Sequence, residues 1–128
     1  MANPMPVPTR AELDILRVLW NKGGSTVREI HNSLKDARGT GYSTTLKLVQ
    51  VMMEKGLVRR DDSSRPQRYW STLPAEQTQT QLVDDLVQRA FSGSAAKLVL
   101  RAVAAQSVSE EELAEIRKLI DAAKGARK

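Results

Sequence analysis

The residues with the clearest chemistry are polar side chains within one short predicted helix: Thr44, Thr45, Lys47 and Gln50. Threonine can hydrogen-bond a base edge or contact a thymine methyl, lysine can donate to guanine, and glutamine can pair with adenine. The hydroxyl of Ser43 and the helix N-terminus suit a phosphate. This pattern predicts a helix that reads bases in the DNA major groove, although a solvated helix face has a similar composition.

A basic hairpin is predicted directly after that helix. Residues 57–60 and 67–70 have the pattern of two short strands, joined by a turn-rich tip. Arg65 and Arg68 flank a proline at the end of this tip, where arginines can straddle the DNA backbone or enter the minor groove. A short polar helix followed by a basic hairpin is the layout of a winged helix-turn-helix.

The charge distribution agrees with a polyanion partner. The chain has 128 residues and a net charge of +5. Residues 1–72 carry 12 Lys and Arg against 7 Asp and Glu, whereas residues 73–128 carry 8 of each. The whole excess therefore lies in the half that holds the helix and hairpin, where neutralised phosphates would release counterions. A positive charge that merely keeps the protein soluble is the alternative explanation.

Capping signals mark where the first helices begin. Thr9 with Glu12, and Thr26 with Glu29, have the spacing of capping boxes. Apolar residues then recur at helical spacing, which predicts two helices that pack together. A third capping box is predicted in the second half of the chain, at Ser109 and Glu112.

The third helix should begin at a Ser43 or Thr44 cap and end near residue 55, where Gly56 can adopt a left-handed conformation. Its apolar face is predicted to centre on Leu46, Val49 and Met53. In the second strand, Tyr69 and Trp70 alternate, so we expect one to pack on the core and the other to face outward.

The second half of the chain reads as three helices whose apolar surface exceeds what about 50 residues can bury alone. The segment AAKLVLRAVAA is apolar on almost every side, and such a helix must be covered on every side. A second copy of the chain is the economical cover, and packing onto the N-terminal half is the alternative. The residues expected at the dimer interface are Leu86, Phe91, Leu98, Leu100, Val103, Leu113, Ile116 and Ile120.

Enzyme chemistry is disfavoured. The chain has no cysteine, which excludes disulfides and thiolate metal sites and suits a reducing cytoplasm. His31 is the only histidine, is expected on the surface, and forms no recognisable catalytic arrangement. We expect no cofactor, no metal and no membrane segment, and the N-terminus lacks the apolar core of a signal peptide.

The motifs YSTTLKLVQVMMEKGLVRR, AELDILRVLW and TVREIHNSL together resemble the penicillinase repressor family, the BlaI/MecI-like regulators. The resemblance implies a mainly α-helical bacterial repressor with a small β-hairpin wing. Its winged-helix DNA-binding domain would occupy residues 1–72 and its three-helix dimerisation domain residues 73–128. It also implies a homodimer on inverted-repeat operators. The DNA-reading positions of the family fall on Thr44, Thr45 and Lys47, with wing contacts near Arg65 and Arg68.

Two departures from the family concern the inducing signal. Members in resistance circuits are cleaved at an Asn-Phe bond, and the matching position here is Arg101-Ala102. The copper-responsive branch carries C-terminal cysteines, and this chain has none. The sequence does not identify the target operon, the inducer or any upstream sensor. A winged-helix module that binds protein and a regulator that responds to a small molecule are the alternative functions.

Overall fold

A computed structural model describes residues 7–39 and 41–126 of the chain. Within these residues it is mostly helical, with one two-stranded antiparallel hairpin. This confirms the expected fold class of a winged helix followed by a helical C-terminal part. The elements are α1 (Arg10–Lys22), α2 (Val27–Arg38), α3 (Tyr42–Lys55), β1 (Val58–Asp61), β2 (Arg68–Ser71), α4 (Ala75–Ala90), α5 (Ala95–Ala105) and α6 (Glu110–Ala126).

The chain forms two compact units, the first ending at Asp85 and the second beginning at Leu86. The division therefore lies inside α4, later in the chain than the domain boundary expected after residue 72. Thr78, in the first turns of α4, is already buried. The start of α4 thus belongs to the first unit, and the separate folding of residues 1–72 stays a prediction.

The three predicted capping boxes are all formed. In each, a glutamate Oε1 accepts the backbone N–H of the cap residue at 2.9 Å. The cap hydroxyl accepts the glutamate backbone N–H at 3.1–3.2 Å in return. Two N–H groups that the helix leaves unpaired are thereby satisfied. The pairs are Thr9–Glu12, Thr26–Glu29 and Ser109–Glu112.

The core of the first unit is aliphatic and is built by α1, α2, α3 and the hairpin. Its most deeply buried apolar side chains are Ile15, Leu16, Ile30, Val49 and Met52. Together the helices and hairpin enclose one contiguous cluster, which fixes α3 against α1 and α2.

An ion pair between a buried carboxylate and a partly exposed lysine ties α1 to the end of α3. The Glu12 carboxylate is only 2% exposed, and Lys55 Nζ lies 2.7 Å from its Oε2. Burial by itself would raise the pKa of Glu12. The pKa nevertheless lies below the ordinary value, because Lys55 and the backbone N–H of Thr9 donate hydrogen bonds to the carboxylate. The pair thus joins the first turn of α1 to the last turn of α3.

A Schellman motif ends α3 and sets the start of the hairpin. Gly56 is left-handed, with φ 82° and ψ 11°. Its N–H donates to the Met53 carbonyl at 3.1 Å, and the N–H of Leu57 donates to the Met52 carbonyl at 2.9 Å. The strands therefore begin and end one residue later than the predicted 57–60 and 67–70, since the backbone N–H of Leu57 is still used by the helix end.

The two hairpin aromatics separate as expected. Tyr69 is buried, while Trp70 is 37% exposed. Trp70 lies against the turn between α1 and α2, where a Cβ at Gly24 would clash with its indole ring. Glycine is therefore required at position 24 for the hairpin to pack this closely.

Candidate nucleic-acid interface

The exposed face of α3 carries the polar side chains that the sequence singled out. Ser43, Thr44, Lys47 and Gln50 are all exposed. Three of them, Ser43, Lys47 and Gln50, follow at spacings of four and three residues, so they share one side of the helix. The resulting stripe offers hydroxyl, ammonium and amide groups on a surface that the core leaves free.

Thr45 does not belong to this stripe, and its predicted place on the polar face is wrong. It is 3% exposed, and its Oγ1 lies 3.3 Å from Nδ1 of His31 on α2. The 3.6-residue period explains the error, because position 45 lies above Val49 and Met52, which are fully buried. The buried face is thus rotated by about one residue from the predicted centre.

The start of α3 also differs from the prediction. Neither Ser43 nor Thr44 caps the helix, because it begins earlier, at Tyr42, after an N-cap Gly41 that has no side chain to donate or accept. The first turn therefore lacks a side-chain acceptor for its N–H groups. Both hydroxyls remain on the exposed surface.

Side chains of α2 surround Tyr42, the first residue of α3. The guanidinium of Arg28 lies over the Tyr42 ring, 4.1 Å from its centroid. The His31 ring meets the same tyrosine edge-on, with centroids 5.8 Å apart. His31 was expected on the surface, and this expectation is wrong, because the side chain is half-buried between the two helices. These contacts hold the beginning of the polar stripe against α2.

Arg28 is a cationic residue of this surface that sequence reasoning missed. It lines a cavity of about 190 Å³ together with Tyr42, Pro66 and Gln67, which places it between the start of α3 and the hairpin. A basic residue on the exposed side of a predicted second helix was the available signal. Only the fold shows that this side of α2 meets the hairpin.

The arginines of the hairpin have different surroundings. Arg59 lies over the Trp70 ring, 5.5 Å from the centroid. Arg60 is 2.6 Å from Asp62 and its pKa is raised, first by a hydrogen bond with Tyr69 and then by this aspartate. Both side chains are engaged at the base of the hairpin.

The two arginines predicted to contact DNA are likewise not equivalent. Arg68 Nη1 lies 3.0 Å from Glu29 Oε1 and donates to the Gly24 carbonyl at 3.1 Å. Arg65 is exposed and donates a 3.4 Å hydrogen bond to the Asp62 carbonyl. Within the described residues no carboxylate pairs with Arg65. Its charge is therefore the most available one at the tip.

The tip itself is ordered by local hydrogen bonds. The Asp61 carboxylate accepts the backbone N–H of Ser63 at 2.9 Å and its hydroxyl at 2.6 Å. Both bonds lower the pKa of Asp61, and the bond from the Ser63 hydroxyl contributes more than the bond from the backbone. Gln67 donates to Asp62 at 3.0 Å. The acidic residues of the tip are thus used to shape the turn.

In the second unit, much of the apolar surface faces outward. Leu100 is 70% exposed and Leu119 is 71% exposed. An open, mostly apolar cavity of about 460 Å³ lies between the end of α5 and the start of α6, lined in part by Val103 and Ile116. Of the residues predicted for dimerisation, those that are exposed are Leu86, Leu100, Val103 and Ile120. The half-buried ones are Phe91, Leu98, Leu113 and Ile116.

In residues 7–39 and 41–126, no helix is long and apolar enough to cross a membrane. Nor does the described part of the chain contain a group of three or more His, Asp or Glu side chains placed to hold a metal ion.

Comparison with known proteins points to one family. The family model of the penicillinase repressor matches residues 8–122. The methicillin resistance regulatory protein MecI of Mammaliicoccus sciuri is 20% identical over 111 residues, which cover 87% of this chain and 90% of the relative. The penicillinase repressor of Staphylococcus aureus is 20% identical over 121 residues, covering 94% of this chain and 96% of that protein. The chain therefore belongs to the penicillinase repressor family, a family of transcriptional repressors rather than enzymes.

Proposed function

We propose that this protein represses transcription by binding specific operator DNA through α3 and the hairpin. The observation that carries the proposal is the exposed stripe of Ser43, Lys47 and Gln50 on α3, a helix whose first turn lines a cavity together with Pro66 and Gln67 of the basic hairpin. The major groove of DNA is wide enough to admit an α-helix, and there lysine and glutamine side chains can discriminate between bases. Arg65 at the tip then reaches the backbone or the minor groove.

We further propose that the second unit joins two copies of the chain. The exposed leucines at positions 100 and 119 support this, because a second copy would remove their large apolar surface from water. Two-fold symmetry would place two α3 helices against the half-sites of an inverted repeat. Binding of both half-sites by one dimer would raise the overall affinity well above that of one winged helix.

The direct test is a gel-shift titration against the DNA upstream of the protein's own gene, with random duplex of equal length as competitor. We expect a complex that survives an excess of random DNA, together with footprint protection over two symmetric half-sites. Equal affinity for both duplexes would contradict sequence-specific repression and favour a winged-helix module that binds protein. Loss of the complex on adding a small molecule would identify a ligand-responsive regulator.

A further inference from the structure

Strand β2 of the hairpin is attached to the start of α2 by two sets of bonds. Ser25 and Tyr69 form an isolated antiparallel bridge, in which the two backbone N–H groups donate across at 3.0 and 2.8 Å. Beside this bridge, Arg68 reaches both the Gly24 carbonyl and the Glu29 carboxylate, at 3.1 and 3.0 Å. The guanidinium therefore spans the turn and the first helical turn of α2.

Glu29 is itself fixed in place. Its Oε1 accepts the backbone N–H of Thr26 at 2.9 Å, as the second half of the α2 capping box. The same oxygen faces Arg68. The pKa of Glu29 is lowered, first by the Thr26 hydrogen bond and then by the nearby Arg68, so the carboxylate is charged at neutral pH. A side chain held at the helix start is a defined anchor point for the strand.

Arg68 begins β2 and pairs in register with Asp61, where the tip of the hairpin starts. An anchor at this position controls the direction in which the tip leaves the body of the first unit. Arg65 lies only three residues before the anchored arginine, so its reach toward a duplex depends on that direction.

We infer that Glu29 is a positioning residue of the DNA interface, which acts through Arg68 to hold the hairpin at a fixed angle to α3. The inference rests on the proposed function. The Arg68 side chain stays on Glu29 in the complex and is not transferred to a phosphate. Fixing the hairpin in advance favours the one duplex geometry in which α3 and Arg65 bind together, and so contributes to discrimination between operator and random DNA.

The test compares E29Q with a matched capping variant, E112Q. A glutamine carbonyl still accepts the cap N–H, so both variants keep their capping boxes. Only E29Q loses an ion pair with an arginine, since the neutral amide leaves Arg68 at most a hydrogen bond and in the described residues the structure shows no arginine partner for Glu112. R68A and the double variant E29Q/R68A complete the set. Each is measured for amide exchange at Ser25 and Tyr69, and for affinity to operator and random duplex over a range of salt.

In E29Q we expect exchange at Ser25 and Tyr69 to rise, and the ratio of operator to random affinity to fall, each by roughly two- to five-fold, as suits an exposed ion pair. In E112Q, the exchange rates and the affinity ratio should equal those of the wild type. In the R68A background, the further change to E29Q should leave exchange and the ratio unaltered, since the partner is already absent.

Three results would overturn the inference. One is unchanged exchange and an unchanged affinity ratio in E29Q. Another is an equal effect of E29Q with and without Arg68. The third is tighter binding of E29Q to every duplex with a salt slope steeper by about 0.9, which would mean that Glu29 competes with a phosphate for Arg68. A wild-type protein with no preference for operator would instead contradict the proposed function, and is recognised before any variant is compared.

Discussion

At the scale of single residues, Lys47 and Gln50 are the side chains best placed to distinguish bases. They are exposed on α3, whereas Thr45, which belongs to the same short motif, is buried against His31. The three polar residues therefore divide into two that face outward and one that holds α3 to α2. Substitution of Thr45 is expected to change stability before it changes base preference.

Lys47→Ala and Gln50→Ala should each weaken operator binding by about 1–3 kcal/mol, because each would remove a hydrogen bond to a base edge. Binding to random duplex should change much less. Fluorescence anisotropy titrations against both duplexes measure the difference. Lys118→Ala, which removes one exposed positive charge from the second unit, serves as the control for net charge. Equal losses on both duplexes would restrict Lys47 and Gln50 to phosphate contact.

At the scale of elements, the hairpin combines an anchored strand, β2, with an available tip. Arg68 is paired with Glu29, while Arg65 is exposed beside the cis Arg65-Pro66 peptide. The family resemblance implies DNA contacts near both residues. Their surroundings imply different contributions to the salt dependence of binding.

Arg65→Ala should lower the slope of log affinity against log salt by about 0.9, because one phosphate contact would be lost. Arg68→Ala should lower it by less, since Arg68 already has a carboxylate partner. Titrations at four or more salt concentrations on random duplex give both slopes. A larger change in Arg68→Ala than in Arg65→Ala would show that Arg68 is the phosphate contact.

The ion pair between Glu12 and Lys55 should make the stability of the first unit depend on pH. The folded-state pKa of Glu12 is lowered. Its contribution to stability is therefore complete above the usual glutamate pKa of about 4.3 and is lost as the pH falls below that value.

Lys55→Met would leave the Glu12 carboxylate buried without its cation, and should cost about 1–3 kcal/mol of unfolding free energy at pH 7. The loss should shrink at pH 3, where Glu12 is protonated more easily. Urea unfolding at both pH values measures it, with Lys118→Met as the control for an exposed lysine. An equal cost at both pH values would contradict the ion-pair explanation.

At the scale of the whole molecule, the second unit exposes apolar side chains that a single copy of the chain leaves in water. Six of the large apolar side chains exposed in the described residues lie in this unit, between residues 86 and 120. The first unit has a closed core by comparison. A dimer through the second unit would explain this difference between the two halves.

Leu100→Asp should prevent dimerisation, because an unpaired carboxylate would be buried at the interface at a cost of several kcal/mol. Operator affinity should then collapse through the loss of bivalent binding, while the first unit stays folded. Sedimentation and operator titration are measured together. Ala105→Asp, on the side of α5 that carries Lys97 and Arg101, is the matched control. A wild-type chain that is monomeric at tens of micromolar (roughly the range in which a weak dimer still forms) would contradict dimerisation through the second unit.

Local patterns in the sequence determined which elements form and marked several of their ends. Capping boxes such as Thr9–Glu12, the left-handed Gly56 and the alternation of Tyr69 and Trp70 all act within a few residues, so their effects are visible without a fold. The polar character of α3 and the basic hairpin were visible for the same reason. The family motifs extended this reading to nearly the whole chain.

The tertiary structure alone decided which of these side chains are available. Thr45 and Lys47 are both polar, but the packing of α2 against α3 buries the first and exposes the second. Arg65 and Arg68 are both arginines of one hairpin, but only the second meets a carboxylate 39 residues away along the chain. Periodicity fixes a helix face to within about one residue, and pairing between distant segments has no local signal, so both outcomes required the fold.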